Sequence, residues 1–221
     1  MGHVLRLKFS NDQVLRYTLT SNSNQKASQE GKAVGEESGG FQATLEQRII
    51  RAQDDGSAHV VSITVPTPGP QIPEGARSVI YQHLGSRGEV FEVSGPNQGN
   101  AFAFPEGAVE IGGTWDGETQ TQIPNVPTPV KMKYVYTFER DENIGGRDCA
   151  RISFVSEPVE FEVPLPDGKG MSQVKTASDG IMWFDCKGGV LFKLQLTTRT
   201  QPRVGAMVFD IENTTTQELV S

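Results

Sequence analysis

Three histidines, His3, His59 and His83, are the imidazoles on which acid–base or metal chemistry could rest. His59 and His83 each sit among strand-forming apolar neighbours, so each reads first as a part-buried or surface strand histidine. A zinc centre needs Cys, His or carboxylate ligands clustered at short spacing, and no such spacing occurs. The carboxylates are numerous but scattered. Asp54 and Asp55 precede Gly56 and read as turn formers. Glu160 and Glu162 alternate with Phe161 and Val163, the pattern of a strand with one solvated face. Glu106, Glu110 and Asp116 lie near Trp115. A carbohydrate-active enzyme would need two such carboxyls about 5–10 Å apart across a cleft. There is no nucleophile elbow, phosphate loop or dinucleotide fingerprint. No cofactor and no catalytic or metal-ligating residue is expected.

Two further residue sets carry possible function. Cys149 and Cys186 are the only cysteines. In an exported protein a pair is commonly bridged, and a Cys149–Cys186 disulfide is possible if their strands are neighbours. In a reducing compartment they would be buried small hydrophobes. The aromatics Tyr134, Tyr136 and Phe138 recur at period 2 and share one strand face. Trp183 alternates with Ile181 on another strand. Core packing is the default for all four. The alternative is that Tyr134, Tyr136, Phe138 and Trp183 line a groove for an apolar ligand.

The elements that must position these groups are strands. Leu5, Leu7 and Phe9 alternate with Arg6 and Lys8. A turn at Asn11 and Asp12 follows, then Leu15, Tyr17 and Leu19 alternate with Arg16 and Thr18, so the spacing predicts a hairpin. Residues 21–40 carry almost no apolar anchor and read as a mobile loop. Residues 41–53 fit helix or strand, with strand favoured by the Asp54–Gly56 turn and the alternating His59, Val61, Ile63 and Val65. Pro66 ends that run. Residues 78–93 read as a hairpin, and residues 95–107 as loop. Val109–Trp115 reads as a short strand. Residues 116–129 read as a second loop, the boundary between a first half (1–115) and a second half (130–221). Val130–Phe138 is the clearest strand. Cys149–Val155, Val159–Leu165, 171–176, 180–197 and 204–212 follow, with a turn at Pro166–Gly170. The hairpin around Gly88 resembles the one around Gly188, and each has an upstream hairpin, turning at Gly56 and Gly146. The count is about fourteen strands and no helix.

Bulk composition narrows the function classes. The chain has 221 residues and a net charge of −7. Nucleic acid and anionic membrane surfaces need a basic face, which this balance opposes. No window has the ~18 apolar residues of a membrane span. Met1, Gly2 and His3 lead straight into a strand-like run, which fits either a cytosolic chain or, the favoured reading, a start added ahead of a mature domain. Long Ser/Thr/Asn/Gln stretches and few lysines fit an exported bacterial protein, in periplasm or at the cell surface.

The order Gly112 to Trp115, Tyr134 to Phe138, Ile144 to Ile152, then a Gly-rich hairpin, resembles uncharacterised bacterial envelope proteins that are lipoprotein-like and β-rich. The resemblance covers about residues 105–221. It implies export and a curved sheet of half-barrel type. LolA-like and LppX-like carriers of that type hold acyl chains on the concave face, although their covering helices are not obvious here. The expected fold is all-β: a mainly antiparallel curved sheet, open barrel or sandwich, from two related halves. The expected function is non-catalytic, binding an apolar small molecule or lipid on the concave face. The alternatives are a structural or protein-interaction module of the envelope, with an envelope protein as partner, and a carbohydrate-active enzyme.

Overall fold

A computed structural model describes residues 2–69, 72–95, 102–121, 126, 129–165 and 170–220. The strands are β1 (Val14–Gln29), β2 (Lys32–Ala52), β3 (Ala58–Pro66), β4 (Ser78–Leu84), β5 (Val90–Ser94), β6 (Thr114–Thr121), β7 (Val130–Ile144), β8 (Arg147–Ser156), β9 (Val159–Pro164), β10 (Met171–Asp185), β11 (Val190–Val204) and β12 (Met207–Leu219). All belong to one antiparallel, curved sheet that does not close into a barrel. Among the described residues there is no helix. The order is β5-β4-β3-β2-β1-β12-β11-β10-β8-β7-β6, with β9 beside β10.

The two chain ends meet at the centre. β1 pairs β12 from Tyr17↔Leu219 to Gln29↔Met207, which joins the two runs of strands into one sheet. β2-β3-β4-β5 and β7-β8-β10-β11 are both meanders in chain order, the second with β9 inserted. β6 pairs β7 along its length, so residues 116–121 are strand and not part of a connecting loop. Of the remainder, 122–125, 127 and 128 lie outside the described residues, as does the expected turn at 166–169. Residues 171–185 form one strand, because the first half of β10 pairs β9 and the second half pairs β8.

Two expectations near the N-terminus are corrected. Leu5–Phe9 forms no ladder strand. β1 is already paired on both edges, by β2 and β12, so it has no free edge to offer. The segment instead crosses the interior as a strap. The Leu7 amide donates to the Ser86 carbonyl at 2.7 Å and the Lys8 amide to the Gly189 carbonyl at 3.0 Å. Leu5 is fully buried. The second correction is residues 21–40, expected as a loop, which are the long arms of the β1–β2 hairpin. Its two-residue turn puts Glu30 at φ 50° and Gly31 at φ 78°, the left-handed pair that matches strand twist.

The interior holds three apolar clusters. The largest contains Leu5, Phe102, Phe104, Tyr136, Phe138, Ile152, Met182 and Phe184. A second contains Tyr17, Cys149, Trp183, Val190, Phe192 and Leu219. A third contains Ile49, Ala58 and Val60, with Phe9 against it.

Candidate functional site

Strand alternation decides where the four singled-out aromatics go. Phe138 pairs Ile152, Ile152 pairs Met182, and Tyr136 pairs Phe154. Side chains directly opposite share a face, so Met182 and Phe184 join Tyr136 and Phe138. Trp183, one residue out of phase, points to the other face. The structure accordingly brings Tyr134, Tyr136 and Phe138 together in the first cluster and leaves Trp183 in the second. The four do not line one groove. Tyr136 and Phe138 are 1% and 0% exposed, so their rings are core. Trp115 stacks on Tyr136 at 5.3 Å. The Trp183 indole N–H donates to Glu142 at 3.3 Å, and Arg151 lies over its ring at 5.8 Å.

The cysteines divide the same way. Both are free thiols, so no Cys149–Cys186 bridge is present. Cys149 belongs to the Trp183 cluster, whereas Cys186 packs against the Phe138 cluster. Burial pushes the Cys149 thiol up to about 11, with the Asp185 carboxylate adding to the effect. Burial also raises Cys186. Both shifts disfavour the thiolate, which is the reactive form.

Around Trp115, Glu106 and Asp116 share an open cleft with Arg87, Glu89 and Glu118, and Glu110 is not in its lining. Three of these acids, Glu89, Glu106 and Glu118, are held by cations. Arg87 holds Glu89 at 2.7 Å and Glu106 at 3.2 Å, and Lys131 holds Glu118 at 3.1 Å. Burial would raise Glu89, but hydrogen bonds from Arg87 and the backbone leave it below the ordinary carboxylate value. A general acid in glycoside hydrolysis needs the opposite displacement.

Sequence reasoning missed one polar cluster. β3 pairs β4 with His59 opposite His83, and the rings stack at 4.5 Å. The Gln53 side-chain nitrogen lies 2.9 Å from His59 Nε2 and 3.2 Å from His83 Nε2. His59 Nδ1 is 2.7 Å from the Tyr81 hydroxyl, which donates to Glu92 at 3.4 Å. Ser57 lies 3.0 Å from His83 Nε2 and donates its hydroxyl proton to Asp55 at 2.7 Å. Serine here stands between carboxylate and histidine. In a hydrolytic triad histidine stands between the other two and takes the serine proton. The cluster is therefore arranged as a satisfied cross-strand network, with Ser57 only 3% exposed. Each histidine was visible in the sequence, but their pairing depends on register set by the connection between β3 and β4. Among the described residues no three Cys, His, Asp or Glu side chains converge as a metal site.

Two features of the concave side and the edge remain. Much of the inner face is covered by Leu5, Phe102 and Phe104, and a cavity of about 150 Å³ is left beneath the Leu7–Phe9 strap. At the sheet margin, β3 covers only the Ala43–Ala52 part of β2. Lys32–Gln42 has no strand on its outer side among the described residues, and all of its residues are exposed. The Gln42 carbonyl accepts from Thr67 at 2.7 Å on the side away from β1. Alternation along the strand then turns the N–H and C=O groups of Gly40, Ser38 and Glu36 outward as well. No protein-family model matches the chain, and no curated protein matches it at a significant level.

Proposed function

We propose that this protein is a non-catalytic interaction module that receives an extended segment of another polypeptide on the open β2 edge. The observation that carries this reading is the stretch 32–41, a strand segment exposed throughout and unpaired along one side among the described residues. Natural sheets blunt such edges or use them, since the free backbone groups template a further strand. Gly39 leaves open space next to Phe41, which is 44% exposed, whereas Gly40 is backed by the Ser21 carbonyl. Glu36 and Glu37 make the edge acidic, so the preferred segment carries Lys or Arg opposite them and a bulky apolar side chain over Gly39. A second copy of this chain fits less well. Antiparallel self-pairing at the strand middle sets glutamates against glutamates, or runs one copy's hairpin tip into Pro66 and Thr67 of the other. The lipid-carrier reading is weaker on magnitude, because a cavity of about 150 Å³ is the size that accepts a single ring such as benzene and not an acyl chain. The bacterial envelope remains the setting of this proposal, supported by the Ser/Thr/Asn/Gln-rich, lysine-poor surface.

The test uses decapeptides of β-forming sequence with net charges of +2, 0 and −2, titrated by fluorescence polarisation. Basic members bind, and Ser38→Pro abolishes binding while Ser38→Ala retains it. Proline removes an outward N–H without touching the bonds to β1, so its stability cost is about 1 kcal/mol or less. Absence of binding by every member, or equal binding by Ser38→Pro, contradicts the reading.

A further inference from the structure

The three apolar clusters do not merge; the space between them is the cavity. Leu191 and Leu194 reach it from the first cluster, Tyr17 and Val190 from the second, and Ile49 and Val60 from the third. Its volume is about 150 Å³, the size of the engineered apolar cavity that stays dry and binds benzene. The lining is not purely apolar. Gln47, Gln82 and Gln217 come from three different strands of the same inner face. All three are half-buried, and a carboxamide can both donate and accept. Gln47 reaches Ser62 at 3.5 Å, the limit of a hydrogen bond. The one charged residue of the lining, Lys8, is committed elsewhere, donating to the Cys186 and Lys187 carbonyls at 3.4 and 2.9 Å. A few polar groups converging on an apolar hollow are the usual make-up of a small-molecule site.

We infer that this cavity is a binding site for a small, neutral, single-ring molecule carrying one hydrogen-bonding group. A lipid acyl chain is too large for it, and a carboxylate or ammonium would lose its hydration without a counter-charge. The site is separate from the β2 edge, and its test does not depend on the edge reading. The Leu7–Phe9 strap, held by the backbone bonds from Leu7 to Ser86 and from Lys8 to Gly189, forms one wall of the site.

The experiment is methyl NMR of the full chain titrated with toluene, p-cresol and benzoate. The expected result is saturable binding of p-cresol, tighter than toluene by at least threefold. Shifts are confined to methyls of the lining, among them Ile49, Val60, Val190, Leu191 and Leu194, and benzoate gives none. The double variant Gln47→Leu with Gln217→Leu brings p-cresol and toluene to equal affinity. Filling the hollow with Val60→Phe abolishes both. Xenon titration of the unaltered chain reads the same methyls should that variant not fold, and xenon shifts confined to them support the site. No shift with any ring compound up to its solubility overturns the inference. So do shifts centred on surface residues such as Val34 and Val79, or equal affinity of the unaltered chain for toluene and p-cresol.

Discussion

β7 and the outer half of β2 are both long strands, yet they are made by different forces. In β7 the alternation of Tyr134, Tyr136 and Phe138 with Lys133, Val135 and Thr137 buries one face, and hydrophobic area stabilises the strand. In Lys32–Gln42 both faces are exposed. What holds that stretch is backbone pairing with β1, from Gln29↔Lys32 to Thr20↔Gln42. Small polar contacts assist, such as Ser38 donating to Asn24 at 2.9 Å and Lys26 with Glu36 at 3.5 Å. β1 in turn leans on β12, where Ser21 and Thr215 hydroxyls lie 3.3 Å apart. The lesson is that a polar stretch can be strand when a long neighbour supplies its ladder. Val34 and Phe41 are the large apolar side chains of this stretch, and both stay exposed.

The largest effects fall on the packed side. Phe138→Ala removes a fully buried ring and costs about 3–5 kcal/mol. Leu5→Ala, on the strap, costs about 2–5 kcal/mol, read by urea denaturation. A Leu5→Ala cost below about 0.5 kcal/mol would mean the strap is not part of the core. By contrast, Val34→Ser with Phe41→Ser, on the exposed arm, changes stability by about 0.5 kcal/mol or less. A loss as large as that of Leu5→Ala would show that the arm is covered.

Between these extremes lies pH. The ordinary thiol value is 9.0, and Cys149 is pushed up to about 11 in the fold by burial. Its stabilising contribution is therefore complete below about pH 9 and is lost as pH rises toward 11. Burial raises Tyr17 and Tyr136 as well, which carries the loss above pH 10. On the acid side Glu46 is held low by Arg48 and Arg16, and Glu118 by Lys131. Their contribution is lost as pH falls through those lowered values, and it is small because both pairs are exposed. Stability thus falls more steeply in alkali than in acid. Thiol-reagent kinetics supply a second readout: Cys149 stays unmodified in the native state at pH 7 and reacts on unfolding. Rapid native modification would contradict its burial.

The sequence carried the all-β class and most strand positions, since Val130–Phe138, His59–Val65 and the 78–93 hairpin announce themselves by period 2. It carried the turns at Asp12, Gly56 and Gly146. It did not carry partner choice. Leu5–Phe9 has the right alternation for a hairpin arm, but competition for the edges of β1 is a property of the whole sheet. Residue type alone groups Trp183 with Tyr134, Tyr136 and Phe138, but one residue of phase puts it on the other face. The His59–His83 pair needs the β3–β4 register, which alternation alone does not give. The cavity among three clusters needs contacts between strands far apart in the chain.

The most direct test of the account is residue-resolved hydrogen exchange along β2. Within Lys32–Gln42 the amides of Glu37, Gly39 and Phe41 face β1, opposite Gln25, Ser23 and Ser21, and those of Glu36, Ser38 and Gly40 face outward. The account predicts slowed exchange for the first three and near free-chain rates for the second three. Free-chain rates at all six would mean a loop rather than a strand. Uniform protection at all six would mean that the edge is already covered.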